Sequence, residues 1–287
     1  MEWDPTQFFR EDDTPRQPFG LLVLNQPINE TALAVLWKYA LITVCADGGA
    51  NRFFEWTKSK GRENDDLPTT LVGDMDSARP EIRTHYSNLG VNIVQDGDQY
   101  TTDFTKSLRY IRKHESDILS SAGFSSDDNL SILILGGLGG RVDQAFSQVH
   151  HLYMMSQSQA ETNGDLYLIS EESISFVLQP GQNRIHVPRT NRPRSTDQYR
   201  SPPIPTPDEE HGKHLLEENV GIIPVSGPAR ITTSGFEWDV QDWQTEIGGQ
   251  LSTSNHIRAE TVTVQTNVSV LFTVELARRL KRSARWL

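Results

Sequence analysis

Residues 71–77, LVGDMDS, put two aspartates one residue apart, directly after an apolar pair and a glycine. In an extended segment the side chains at i and i+2 point the same way, so Asp74 and Asp76 would converge while Met75 faces the opposite side. Two unpaired carboxylates held that close resist ionising together. A divalent cation removes the conflict. Mg²⁺ suits such donors because it takes oxygen ligands and keeps waters and substrate phosphates in its shell, so two or three carboxylates suffice. A solvated turn is the other reading of the same spacing, since Asp and Ser favour turns.

The segment DGDQYTTDFTKSLRY begins at Asp96. Thr102 or Asp103 can cap a helix there, and the positive helix end suits a carboxylate or phosphate. Asp103 and Lys106 are three apart, hence on one face of the first turn. They read as a metal-binding acid beside a phosphate-binding lysine, or as a cap with a surface ion pair. GGLGGRVDQ, residues 136–144, offers four glycines, Arg141 and Asp143 between a strand and a helix. Its backbone N–H groups could approach phosphates, and Arg141 could fork onto a phosphate or an acid. A tight strand-to-helix connection needs the same glycines. Gly137, Gly139 and Val142 break the dinucleotide pattern at its third glycine, and no G-x-x-x-x-G-K-[ST] occurs anywhere.

Asp47 and Gly48, in ADGGA, add another acid and a glycine at a strand end. Trp238 reads as a packing residue, since tryptophan is highly buried on average. Ser252 and Asn255 are polar features of LSTSN. Cys45 has neither a base nor a second thiol beside it and reads as a small buried side chain. His150 and His151 lie on a helix without a companion ligand motif, and His211 and His214 lie in a polar stretch. All four are assigned to structure or solvent.

These residues need elements to hold them. LLVLN, LITVCA, TTLV, VNIV and SILIL are short apolar runs bounded by turn residues, which reads as buried strands. Helical stripes fall between them: Leu33, Leu36, Trp37 and Ala40; Phe104, Leu108 and Ile111; Val142, Phe146, Val149 and Tyr153. Strands alternating with helices predict a mainly parallel sheet flanked by helices, with ligands beyond the carboxyl ends of the strands. After residue 165, LYLISEESISFVL, RITTSGFEWDV, ETVTVQT and SVLFTVEL alternate with period two, which predicts an all-β sandwich. The expected organisation is an N-terminal extension over 1–19, an α/β domain over 20–170 and a β domain over 171–287. Residues 188–214 are rich in proline and charge and poor in large apolar residues, and read as a disordered insert.

Composition excludes several classes. The formal charge is −11, from 27 Lys and Arg against 38 Asp and Glu, and no basic block offers a face for nucleic acid. One cysteine permits no intrachain disulfide, and the first residues show no basic flank ahead of an apolar core. No apolar run is long enough to span a bilayer. A cytoplasmic protein without a membrane partner is expected.

Taken in order, LNQP, CADGGANR, GDMDS, DQYTTDFTKSL, LGGLGGRVDQ, LQPG and STSN resemble the eukaryotic thiamine pyrophosphokinases over most of residues 20–275. Met75 stands where the family pattern more often has phenylalanine, and the stretch at 188–214 is longer than the pattern. The resemblance implies transfer of a pyrophosphoryl group from ATP to the hydroxyl of thiamine, giving thiamine diphosphate and AMP. It also implies a homodimer with the active site between subunits. By matching motif, Asp74, Asp76 and Asp103 would hold Mg²⁺. Asp47, Gly48, Gln99, Thr102, Lys106, Gly139 and Arg141 would surround the triphosphate. Asp143, Ser252 and Asn255 would place thiamine, with Trp238 against its rings from the other subunit, and the thiazolium charge suits an aromatic face. Asp103 and Asp143 both qualify as acceptor of the hydroxyl proton. The rival readings are another Mg²⁺-dependent phosphotransferase and a non-catalytic nucleotide-binding regulator.

Overall fold

The computed structural model describes residues 1–10, 15–158, 165–192 and 214–282. The chain divides into two compact units, Thr14–Glu171 and Met1–Asp13 with Glu172–Leu287. It opens with a two-residue strand, β1 (Glu2–Trp3), that belongs to the second of these.

The α/β unit runs β2 (Phe19–Val23), α1 (Glu30–Leu36), β3 (Ile42–Ala46), α2 (Gly49–Lys58), β4 (Thr70–Gly73), α3 (Pro80–Asn88), β5 (Asn92–Gln95), α4 (Asp103–Lys113), α5 (Glu115–Ser121), β6 (Ser131–Leu135), α6 (Val142–Ser158) and β7 (Leu166–Ile169). Within it the strand order is β7-β6-β2-β3-β4-β5, every neighbouring pair parallel. Strands covered on both faces need apolar residues at every position, not every second one. β2, β3, β4 and β6 are accordingly buried throughout. Register then sets the active edge. Ala46 pairs with Val72, and Gly73 with Gln95, so the loops after β3, β4 and β5 open side by side with Asp47, Asp74 and Asp96 as their first residues.

One grouping and one stripe need correction in this unit. Leu166–Ile169 pairs in parallel with β6, so the front of LYLISEESISFVL lies in the α/β unit, inside the 20–170 bounds expected for it, although the period-two reading groups it with the later strands. Four residues that are apolar throughout look the same in either setting. On α6, Val149 and Tyr153 are buried but Val142 and Phe146 are 70 % and 63 % exposed. The assumed stripe slides between two rows of the helix. Val142, Phe146, His150 and Met154 form one i, i+4 row that faces outward, while Gln148, Leu152 and Ser156 lie on a buried one.

The all-β unit adds β8 (Ser173–Leu178), β9 (Gly181–His186), β10 (Leu216–Ile223), β11 (Ala229–Ser234), β12 (Trp243–Thr245), β13 (Ser252–His256), β14 (Thr261–Thr266) and β15 (Val270–Leu276). Antiparallel strands β13-β10-β15-β8 form one layer, and β1-β9-β14-β11-β12 the other. The first residues are not a free extension. Glu2 and Trp3 pair with Arg184 and Ile185, Trp3 stacks on Phe176 at 4.9 Å, and Phe8 and Phe9 are fully buried. Three large aromatics within nine residues supply that burial, but the run is too short to show a period. The expected insert also starts too early. Thr190 is buried and bridges Leu216, and Asn191 donates its N–H to the Leu216 carbonyl at 2.9 Å. Residues 193–213 lie outside the described residues. Among the described residues no helix is long and apolar enough to cross a membrane.

Candidate active site

Three strand ends converge on one group of acids. Asp47 follows β3 with φ +40° and is buried, and its two carboxylate oxygens accept the N–H groups of Ser77 and Ala78 at 2.9 Å each. This carboxylate pins the loop that carries Asp74. Gly73 ends β4 at φ +155°, where a Cβ would stand 2.7 Å from the Asp47 Cβ and 2.9 Å from Asp103 Oδ1. Only glycine fits there. Asp103 opens α4, whose cap Thr102 accepts the Thr105 N–H at 3.2 Å. Asp103 Oδ1 also accepts the Asp74 N–H at 3.3 Å.

Carboxylate oxygens of Asp47, Asp74 and Asp103 all lie within 4.8 Å of one another. Lys106, buried on the same helix face, places Nζ 3.2 Å from Asp103 Oδ1 and 3.9 Å from Asp74 Oδ2. Burial pushes the Asp47 carboxyl above the usual range and the Asp103 charge adds to the rise, while the two backbone N–H groups oppose it. By formal charge, three carboxylates against one ammonium leave a surplus of two negative charges, which one divalent cation matches. The donor set, oxygen only, fits Mg²⁺.

Asp76 is not in this cluster, contrary to the alternation argument. Met75 has φ +68° and is buried, so residues 74–76 are not extended and the i, i+2 rule does not apply. Asp74 Oδ1 instead accepts the Asp76 N–H at 3.1 Å, and Asp76 Oδ1 accepts the Ser77 hydroxyl at 2.8 Å. Asp47, assigned on resemblance to the triphosphate, takes the third place.

The remaining residues of this unit differ in how closely the fold constrains them. Gly48 and Gly49 are dictated by close approach, since a Cβ would stand 2.2 Å from Asn25 Nδ2 and 2.1 Å from the Val23 carbonyl. A Cβ at Gly139 would meet nothing within 4 Å. Arg141 forks onto Asp143 at 2.5 and 3.1 Å in an exposed pair, and the guanidinium holds the Asp143 carboxyl below its ordinary value. Gln99 is exposed in a loop tied by Asp98, which accepts the Tyr100 N–H and the Thr101 hydroxyl.

His151 is the residue that sequence reasoning placed with structure and that the fold puts beside the site. Its Nδ1 lies 2.6 Å from the Ser147 carbonyl, which can only accept, so Nδ1 carries the proton. Nε2 is therefore an acceptor, and the Thr102 hydroxyl donates to it at 3.0 Å. A directed chain runs from the Thr105 N–H through the Thr102 hydroxyl to His151. His151, Thr102, Asp103 and Asp47 line a cavity of about 170 Å³. No sequence motif marks His151, because its partner is 49 residues away.

In the β unit, Trp238 is 58 % exposed and not a packing residue. Its ring lies 5.1 Å from that of His256. Asn255 is buried, and its side chain is engaged with the main chain: Oδ1 accepts the Trp238 N–H at 3.2 Å and the His256 N–H at 2.8 Å, and Nδ2 donates to the Trp238 carbonyl at 3.0 Å. Ser252 opens β13, opposite Ile222 of β10.

Comparison with known proteins agrees across both units. Residues 33–163 match the family model "Thiamin pyrophosphokinase, catalytic domain", and residues 204–271 match "Thiamin pyrophosphokinase, vitamin B1 binding domain". The chain is 32 % identical over 274 residues to thiamine pyrophosphokinase 1 of Oryza sativa subsp. japonica, covering 92 % of this chain and 89 % of the relative. It is 25 % identical over 298 residues to thiamine pyrophosphokinase of Saccharomyces cerevisiae, covering 89 % and 85 %. Among solved structures, thiamin pyrophosphokinase from Candida albicans superposes with a TM-score of 0.75 at 26 % identity, over 96 % of this chain and 92 % of that one. With both halves of the chain matched and curated relatives aligned over nine-tenths of it, this chain belongs to the thiamine pyrophosphokinase family.

Proposed function

We propose that the family's reaction, pyrophosphoryl transfer from ATP to the hydroxyl of thiamine, runs at the cluster of Asp47, Asp74 and Asp103. The observation that carries this reading is the crowding of three carboxylate oxygens within 4.8 Å beside a buried lysine. Asp74 and Asp103 would hold Mg²⁺, with Asp47 fixing the loop that carries Asp74, and the ion when bound would supply charge neutralisation for the phosphates. Lys106 places a fixed positive charge where the transferred group spreads negative charge over its oxygens. The thiamine hydroxyl oxygen bonds to the β-phosphorus, the bond from that phosphorus to the α,β-bridging oxygen breaks, and AMP leaves with the oxygen. A carboxylate takes the hydroxyl proton. Asp103 and Asp143, the two acids open from sequence, are the candidates for that step.

The two units divide the labour, with nucleotide and metal on the α/β unit and thiamine on the β unit. Trp238 supplies an exposed aromatic face for the cationic ring, and Ser252 opens β13, the strand whose Asn255 bonds to the Trp238 main chain. Pairing of two chains in the cytoplasm completes the reading. It is supported by the outward Val142 and Phe146 on α6, which a partner would cover. Incubation with ATP, Mg²⁺ and thiamine, followed by mass identification of both products, tests the reaction. AMP with thiamine diphosphate supports it, and ADP would mean transfer of a single phosphoryl group.

A further inference from the structure

α6 turns Gln148 inward, where it is 7 % exposed. Its Nε2 donates to the Gly136 carbonyl at 3.2 Å, which fixes the amide orientation because a carbonyl can only accept. Oε1 therefore faces the other way, and it is buried without a hydrogen-bond partner. A buried acceptor left unmade is costly, so such atoms are nearly always satisfied by something. Gln148 is a wall of the cavity that holds Asp47, Asp103 and Thr102. The adjacent histidine cannot supply a donor, because the His151 N–H is committed to Ser147 and its Nε2 is itself an acceptor. Phosphate oxygens cannot complete the site either, since an amide oxygen repels them. What fits is a fixed N–H donor on a neutral part of a substrate. Both substrates of the reaction carry one: the exocyclic amine of adenine and the amine on the pyrimidine ring of thiamine.

We infer that Gln148 is a specificity-determining residue whose Oε1 accepts an N–H from the amino group on the heterocycle bound in this cavity. The inference rests on the reading that this cavity is the active site. Two substrate pairs tell the sources apart. Inosine triphosphate carries a carbonyl where ATP has its amine, and oxythiamine does the same for thiamine. With the full-length protein, kcat/KM is measured for each pair, the other substrate saturating. Wild type should prefer the amino form of one pair by about tenfold or more, as expected when a buried acceptor is left unmatched. Gln148→Met should compress that ratio to about threefold or less and leave the other pair's ratio unchanged. Equal use of both forms in both pairs by wild type overturns the inference whatever the variants do. So does a folded Gln148→Met enzyme that keeps both ratios, which would mean that a water satisfies Oε1. Full activity in Asp103→Asn would instead overturn the site assignment, which keeps the two failures distinct.

Discussion

Thr102 and His151 meet at 3.0 Å between Oγ1 and Nε2, tying the first turn of α4 to the middle of α6. The helix that carries Asp103 and Lys106 is thus capped by a hydroxyl whose own proton is held by an imidazole. His151→Leu removes this acceptor and leaves the Thr102 hydroxyl only the Thr105 hydroxyl, 3.1 Å away, and should cost about 1 kcal/mol of stability. Burial, the largest cause, holds His151 below its ordinary value of 6.5, with His150 adding to the drop and the Ser147 carbonyl opposing it. The unfolded chain therefore takes up this proton first as pH falls. The stabilisation is full above about pH 6.5 and declines below it. Thermal melts from pH 7.5 to 5.5 should show the gap between wild type and His151→Leu narrowing, and a constant gap would contradict the downward shift of His151.

Gly73→Ala puts a methyl where Asp47 Cβ and Asp103 Oδ1 already stand, on a backbone with φ +155°. The strained backbone should cost about 1–3 kcal/mol, and the two carboxylates must move apart. Activity should fall further than stability. A variant with wild-type kcat would show that the cluster tolerates a looser geometry.

Asp74→Asn and Asp103→Asn should each lower turnover by more than about 100-fold, since even outer-shell changes at a metal site cost 10–100-fold. Their stabilities should differ. Asp74 sits 3.9 Å from Lys106, and its removal relieves repulsion in the cluster, so the metal-free Tm should hold. Asp103 is the nearer partner of the buried lysine at 3.2 Å, and its loss should cost about 1–3 kcal/mol, or several degrees of Tm. Added Mg²⁺ should raise the Tm of wild type and not of Asp74→Asn, because ligand binding to the folded state alone is what shifts it. Equal Mg²⁺ shifts would refute the metal assignment.

Asn255→Asp keeps the oxygen that receives two N–H groups and loses the donor to the Trp238 carbonyl. If Asn255 acts by holding Trp238, the variant should raise KM for thiamine roughly tenfold, the equivalent of about one hydrogen bond, with kcat little changed. Trp238→Ala should do the same. Combining the two should add little beyond either alone, because both act through one ring. Full additivity in the double variant would mean that Asn255 serves some separate purpose.

Much of this protein was legible in its residue order. Buried parallel strands demand unbroken apolar runs, so β2, β3, β4 and β6 announce themselves, and loops beyond their carboxyl ends must carry the polar chemistry. Asp74, Asp103 and Lys106 are singled out that way and the fold brings them together, Lys106 because helical spacing fixes which neighbour it shares. Local rules failed where the backbone left the geometry they assume. Met75 at φ +68° breaks the alternation that would have joined Asp76 to Asp74. Asp47 enters the cluster through strand register, which no local pattern encodes. Trp238 was misjudged because burial depends on what surrounds a residue and not on its type. His151 and Gln148 acquire their meaning from partners far off in the chain or from the want of one. Sequence determines which segments bury themselves and where acids are spared for chemistry, because those follow from periodicity and the solvation of short stretches. Which oxygens meet, which amide is left unanswered and which ring stays exposed are settled only when distant segments close on one another.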